Sequence, residues 1–296
     1  MILLTGDNGF LGMHIKTEFY NNAFAFQTLN RSNADYIIDL STTVPVFRIN
    51  FDLVIHCAGA AHKVPKNQLE SDLIYNTNIK STENLILGLE KIGIPEKFVF
   101  ISSVSVYGRS SGTLINENDE LLASDAYGKS KIICEKIITD WCEKYNVIYT
   151  ILRLPLLVGS NPPGNLGDLI TAIKNNYYFN ISHINPRKSM VLAQDVASII
   201  LKASEVGGVY NLTDGYHPTF VELSNFISKQ LNKGKVLTLP IFFVKLLAKI
   251  GDTLIPILPI NTKKLSKMAN DLTFDDTNAK NAFNWHPAKV LDGFKL

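Results

Sequence analysis

The sequence predicts an α/β protein built on a doubly wound parallel sheet, and three observations carry that expectation. A short apolar run, Ile2–Leu4, leads into glycines at 6, 9 and 12 and then into the helical spacing of Phe10, Leu11, Ile15 and Phe19. Short apolar strands then alternate with longer helical patterns over the first 155 residues, the rhythm of β-α-β units. The chain is 46% hydrophobic and 19% charged, enough apolar material for a full core.

The opening strand, glycine turn and helix together make a dinucleotide-binding signature, which glycine spacing alone would not. Gly6 allows the tight turn, Gly9 lets the backbone approach a pyrophosphate, and Gly12 lets the helix lie close on its strand. The helix N-terminus then offers N–H groups and a positive dipole end to the phosphates. The bland alternative is a glycine-rich turn that only joins a strand to a helix.

A second strand spans Ala23–Leu29 and runs into Asn30-Arg31-Ser32. An acid at this strand end would bond the ribose 2′-OH of NAD, whereas an arginine accommodates the extra phosphate of NADP. Arg31 and Ser32 supply a cation and a hydroxyl, so the residues favour NADP(H) and leave NAD(H) open. A third short strand, Tyr36–Leu40, carries Asp39 within reach of an adenine amino group. A fourth runs from Asp52 into the small residues Ala58, Gly59 and Ala60, which let a flat cofactor pass close over the backbone. His56 and His62 flank this turn without the further ligands a metal site needs, and both read as packing or loop residues. A long helical pattern covers Ser71–Ile92, and a fifth strand covers Lys97–Ser102. The ligand of such a sheet lies beyond the carboxyl ends of its strands, where all these residues fall.

The fifth strand continues into Ser103, Ser105 and Tyr107, and a later helix opens with Tyr127-Gly-Lys129-Ser-Lys131. Tyr127 and Lys131 are four residues apart and share a helix face. A free tyrosine titrates near ~10, and an adjacent ammonium favours its phenolate, which suits acid/base work near neutrality. With 11 tyrosines in the chain, about one such Tyr/Lys pair arises by chance. The weight lies in the conjunction of glycine turn, serine at a strand end and Tyr/Lys at the next helix. Ser103 then holds a carbonyl whose proton Tyr127 gives or takes, while the cofactor carries the hydride.

Lys+Arg total 29 against 27 Asp+Glu, which offers nothing for a nucleic-acid partner. Cys57, Cys134 and Cys142 make no disulfide framework and suit a reducing cytoplasm. The N-terminus enters the first strand directly, so no signal peptide is expected. The apolar stretch from Val236 to Ile260 contains Lys245, Lys249, Asp252 and three prolines, which argues against a membrane span. An amphipathic helix near Phe242–Ile250 packed on the protein is expected there, with a peripheral membrane contact as the weaker alternative.

These motifs together resemble the extended short-chain dehydrogenase/reductase family, also called the NAD-dependent epimerase/dehydratase family, over nearly the whole chain. TGDNGFLG resembles its cofactor turn, which adds Asn8, Phe10 and Leu11 to the glycines, and Leu40 and Ser102 join Asp39 among the implied cofactor contacts. HCAGAAH resembles the turn beneath the nicotinamide, and NTNIKSTENLI places Asn78 at the family's structural-catalytic asparagine. FISSVSVYG and YGKSK give the Ser103, Tyr127, Lys131 triad, with Ser105 at the substrate. Asn165 in ILRLPLLVGSNPPGNLGDLI, and Arg187 or Lys188 in RKSMVLAQDVASII, are implied contacts to a nucleotide-sugar, of which the diphosphate meets the basic residue.

The resemblance implies a Rossmann-type fold with a smaller α+β C-terminal substrate domain. Residues 1–159 would bind the dinucleotide, rejoined by 190–212, and residues 160–296 would bind the nucleotide-sugar, with no metal. Where the family's 4,6-dehydratases place an acidic pair after the serine, this chain has Val104 and Ser105. That leaves oxidoreduction at C4: a UDP-4-keto-6-deoxy-hexosamine reductase of polysaccharide precursor synthesis, or a UDP-sugar 4-epimerase with tightly held NAD. The resemblance also implies a homodimer in which the helix 71–92 and the Tyr127 helix pair across a two-fold, as the family often does.

Overall fold

A computed structural model describes residues 1–60, 65, 67–253, 262, 265 and 269–296. His62 and residues 254–260 of the apolar stretch lie outside the described residues. In chain order the first half comprises β1 (Ile2–Thr5), α1 (Phe10–Asn21), β2 (Phe26–Asn30), β3 (Tyr36–Ile37), β4 (Leu53–His56), α2 (Gln68–Ile92), β5 (Lys97–Ser103), β6 (Gly112–Ile115), α3 (Ala126–Tyr145) and β7 (Ile148–Leu154). The second half comprises β8 (Leu156–Val158), α4 (Gly164–Lys174), β9 (Asn180–Ile181), β10 (Met190–Leu192), α5 (Ala193–Ser204), β11 (Gly208–Asn211), α6 (Phe220–Gln230), β12 (Thr238–Leu239), α7 (Ile241–Thr253), β13 (Leu272–Phe274), α8 (Thr277–Phe283) and α9 (Val290–Gly293).

Seven strands form one parallel sheet in the order β11-β7-β5-β4-β1-β2-β3. The order reverses at β1, so the doubly wound architecture is present and a crevice opens between the ends of β1 and β4. Strand alternation sends neighbouring residues to opposite faces. Leu3 joins Val54, Phe98 and the α2 and α3 residues Leu85 and Ile138, whereas Leu4 joins Ile55, Val99 and the α1 and α5 residues Ile15 and Val196. The buried strands are apolar on both faces for this reason and read as continuous runs rather than alternating ones.

Local signals set the helix ends. Asn67 caps α2 by accepting the Glu70 N–H at 2.9 Å, and Asp125 caps α3 by accepting the Gly128 N–H at 3.0 Å. Thr219 and Glu222 form a reciprocal capping box at the start of α6. A second core gathers Leu166, Ile173, Leu223, Ile227, Val290 and Phe294 from α4, α6 and the C-terminal residues.

The segment 190–212 behaves in two ways. Gly208–Asn211 adds to the edge of the seven-stranded sheet beside β7. Contrary to the expectation from the sequence, Met190–Leu192 does not return to that sheet; it pairs with β8 in a separate two-stranded sheet. The physical reason is its alternation. Val191 packs into the core of the large sheet, while Met190 and Leu192 pack into the second core, so β10 serves both. Among the described residues no helix is long and apolar enough to cross a membrane.

Candidate active site

The cofactor end is built on three close backbone approaches. Gly6 has φ +74°, and a Cβ on it would stand 2.7 Å from the Ala58 nitrogen, so the turn after β1 and the turn after β4 touch. A Cβ on Gly12 would stand 2.1 Å from the Gly6 carbonyl oxygen, which is how α1 lies against its own turn. Gly9 donates its N–H to the Gly6 carbonyl at 2.9 Å, and no side chain caps α1. The first-turn N–H groups of α1 therefore point an unshielded dipole end at the crevice.

Asp7, fully buried, fastens this turn by accepting from Lys16 at 2.6 Å and from Asn30 at 3.0 Å. Asn8 donates to the Ser32 carbonyl at 2.9 Å, tying the glycine turn to the end of β2 where Arg31 and Ser32 stand exposed. Asp39 accepts from the Ser41 N–H and hydroxyl at 2.9 and 2.6 Å. The Ser41 hydroxyl bond, joined by the Arg31 charge, holds the Asp39 carboxyl below the ordinary carboxylate range. Phe10 packs edge-on to His14. Leu11 and Leu40 are core residues, so any part they take in holding a ligand falls to their backbone; the Leu40 carbonyl already accepts from Asn84 at 2.7 Å.

A second group of the residues predicted for the site centres on Asn78 of α2. Its Oδ1 accepts the Ala60 N–H at 2.6 Å, and its Nδ2 donates to the Ser130 hydroxyl at 2.8 Å, which in turn donates to the Tyr127 carbonyl at 2.8 Å. One amide thus joins the Gly59–Ala60 turn to the first turn of α3. A Cβ on Gly59 would meet Asn78 Oδ1 at 2.9 Å and come within 3.9 Å of Lys131 Nζ. Lys131 donates to the Ile101 carbonyl at 2.8 Å, with its Nζ 4.5 Å from the Phe100 ring centroid and 6.0 Å from that of Tyr127. Its positive charge bears on the neighbours. Burial, and secondarily this charge, pushes the His56 imidazole down to about 3. His56 is indeed a packing residue, held between Thr5 at 2.8 Å and Thr82 at 3.2 Å.

Beyond β5 the chain makes one 3₁₀ turn, Val104–Tyr107, capped by Ser103, whose hydroxyl accepts the Ser105 N–H at 3.2 Å. The two serine hydroxyls lie 3.2 Å apart. A Cβ on Gly128 would stand 2.7 Å from the Ser105 carbonyl, so the serine turn rests on the start of the Tyr127 helix. Ser102 is placed differently. Its side chain faces away from Ser103, is buried, and donates to Glu135.

A cleft of about 220 Å³ continues from this turn, lined by Val104, Asn165, Lys188, Phe220, Leu272 and others. It brings Asn165 and Lys188 together. Burial pulls the Lys188 ammonium below its ordinary pKa, against the opposing pull of Asp271. Arg187 is not among the lining residues; it donates to the Tyr216 and His217 carbonyls at 3.3 and 3.1 Å. Of the two basic residues, Lys188 faces the cleft.

The sequence reading missed a buried network behind α3. Arg153 of β7 donates to Glu135 at 2.8 and 3.1 Å and to the Tyr107 hydroxyl at 3.1 Å, and Tyr107 donates to Asn211 at 2.8 Å. A lone arginine inside the apolar strand ILRLP was the signal for it. Among the described residues no group of three or more His, Cys, Asp or Glu is arranged to hold a metal ion.

The chain is similar to known proteins in sequence and in fold. The model of the NAD dependent epimerase/dehydratase family matches residues 2–213. A UDP-glucose 4-epimerase of Vibrio cholerae is 25% identical, over 99% of this chain and 93% of its own. An N-acetyl-α-D-glucosaminyl-diphospho-ditrans,octacis-undecaprenol 4-epimerase of Escherichia coli O157:H7 is 26% identical over 78% of this chain and 72% of its own. Two solved structures share the fold: UDP-N-acetylglucosamine 4-epimerase from Bacillus cereus (TM-score 0.72, 22% identity, 97% and 93% of the two chains) and RMD from Pseudomonas aeruginosa complexed with NADPH (TM-score 0.73, 19% identity, 97% and 93%).

Proposed function

The chain belongs to the NAD dependent epimerase/dehydratase family, and we propose that it carries out NAD(P)-dependent oxidoreduction at C4 of a nucleotide-activated sugar. The observation that carries this reading is the Asn78 junction, which holds the Gly59–Ala60 turn against the helix bearing Tyr127 and Lys131. The residues present fit a nicotinamide dinucleotide: the glycine turn leads into a helix whose N-terminus no side chain caps, and Arg31, Ser32 and Asp39 offer a cation, a hydroxyl and a carboxylate to the adenosine end. When bound, the nicotinamide supplies hydride exchange with the sugar carbon.

The remaining work falls to the chain. Ser103 turns the hydroxyl proton that it otherwise gives Ser105 toward the C4 oxygen, while it goes on accepting the Ser105 N–H. Tyr127 gives its phenolic proton to that oxygen in reduction and takes it back in oxidation. Lys131 stabilises the charge left on the phenol oxygen. Lys188 and Asn165 bind the diphosphate and the sugar-nucleotide in the cleft.

Within C4 chemistry we favour a UDP-4-keto-6-deoxy-hexosamine reductase. Arg31 beside Ser32 suits an exchangeable NADPH, and Val104 and Ser105 leave no carboxylate for a dehydratase's elimination. The second reading, a UDP-sugar 4-epimerase holding NAD, is favoured by the names of the relatives. A homodimer through α2 and α3 is part of the proposal, supported by outward-facing Leu69, Leu73 and Leu87 on α2. The deciding assay mixes purified protein with a UDP-4-keto-6-deoxy-N-acetylhexosamine and NADPH. Stoichiometric NADPH oxidation is expected. Interconversion of UDP-sugar C4 epimers without added reductant would put the epimerase in its place, and inertness in both assays would end the C4 reading.

A further inference from the structure

The helix α7 and the strand before it have no part in the site described above, and their outer surface is unusual. Val244 is fully buried against Ile181 and Leu265, with Ile241 packed beside it, which anchors one side of α7. The Ile241 N–H donates to Ser182 at 3.1 Å, and the Leu237 carbonyl accepts from Asn180 at 2.8 Å, so helix and strand are both fastened. The side that remains faces solvent with Phe242 61%, Phe243 50% and Leu246 55% exposed. The two phenylalanine rings lie 3.9 Å apart, covering each other rather than the core. Single exposed apolar residues are ordinary, but three large ones on one anchored helix face make a contact surface.

Charge says what covers it. Residues 229–253 hold five lysines and one aspartate, a net +4, while the whole chain nets +2, so the rest of the protein is net negative. Lys245 is exposed among the apolar residues of α7, and Lys233 reaches Asn176 at 2.7 Å beside the exposed Tyr177. A lysine set among the apolar residues argues against a second copy of the chain, because the cores of protein interfaces are depleted of charge. The same arrangement is what an interfacial helix needs, with aromatic and leucine side chains entering the headgroup boundary and ammonium groups meeting lipid phosphates. At 13 residues α7 is too short to span a bilayer and can only lie on it.

We propose that the outer face of α7, Phe242, Phe243 and Leu246 with Lys245, docks the protein peripherally on an anionic lipid surface. The proposal is independent of the reaction at C4. Neutral lipid offers the apolar term alone, and anionic lipid adds the lysine term.

The test is co-sedimentation of the full chain with phosphatidylcholine vesicles, with and without about one-third phosphatidylglycerol. Binding to the anionic vesicles is expected to be roughly tenfold tighter or more than to the neutral ones, and to fall as salt rises. Lys245→Glu should weaken it about fivefold. The triple change Phe242→Ser, Phe243→Ser, Leu246→Ser should weaken it roughly tenfold or more. All four positions face solvent, and unchanged melting temperature and NADPH binding verify that the variants fold. Failure to bind anionic vesicles, equal binding to both kinds, or a wild-type dimer that the triple change converts to monomer without any vesicle binding would each overturn the proposal.

Discussion

In the proposed function, cofactor choice turns on Arg31. It stands exposed one position beyond β2, with its backbone N–H held by Asn30 at 2.8 Å and its side chain among the exposed residues of the crevice rim. A guanidinium there meets a 2′-phosphate as a charge-assisted pair, whereas a 2′-hydroxyl gains little from it. Arg31→Ala should therefore weaken NADPH by roughly tenfold or more and NADH by little, measured by fluorescence titration. Equal losses would remove Arg31 from that role. At this scale the sequence told types well and directions poorly. Gly6 and Gly12 were legible because their spacing encodes backbone approach, and the geometry shows both approaches. Ser102 and Ser103 are indistinguishable neighbours in the chain, yet strand alternation gives one to Glu135 and the other to the reactive turn. Arg187 and Lys188 pose the same problem, decided by a turn at Tyr216–His217 that no local spacing announces.

At the scale of elements, α3 must hold Tyr127 and Lys131 still while the rest of the helix is packed on β5 and β7. Lys131 bonds the Ile101 carbonyl, and four residues on, Glu135 bonds both Ser102 and Arg153. These two grips, one turn apart, fix the rotation and register of the helix against the strand that ends in Ser103. The Arg153–Glu135 pair is buried, with side-chain exposures of 6% and 7%, so removing one partner strands a charge. Arg153→Met should destabilise the fold by about 3–5 kcal/mol in urea unfolding, and adding Glu135→Met should recover much of that loss. If Arg153→Met is neutral, the pair holds nothing. The helices were legible from apolar periodicity: the patterns over 71–92 and from Tyr127 through Ile138 fall within Gln68–Ile92 and Ala126–Tyr145. The short strands were not, because Met190–Leu192 pairs according to which core its side chains enter, a tertiary decision.

On the scale of the whole molecule, seven parallel strands bring β1, β4 and β5 side by side, so residues separated by a hundred positions meet at one edge. The glycine turn, the Gly59–Ala60 turn and the Ser103 turn are each the carboxyl end of one of these strands. Their convergence was legible in the sequence, since strands alternating with helices imply a parallel sheet whose ligand lies beyond the carboxyl ends of its strands. What the second core binds was less legible. The cleft beside it is lined from β8, α4, α6, β13 and the residues Lys188 and Ser189, whose sequence signals are short and whose pairing is non-local. The account rests on Tyr127 as the proton carrier at the nicotinamide end of the crevice. Its most direct test is the turnover of Tyr127→Phe beside its NADPH affinity: we expect turnover to fall by roughly 10²- to 10⁴-fold with affinity unchanged, and a variant that turns over at the wild-type rate would contradict the account.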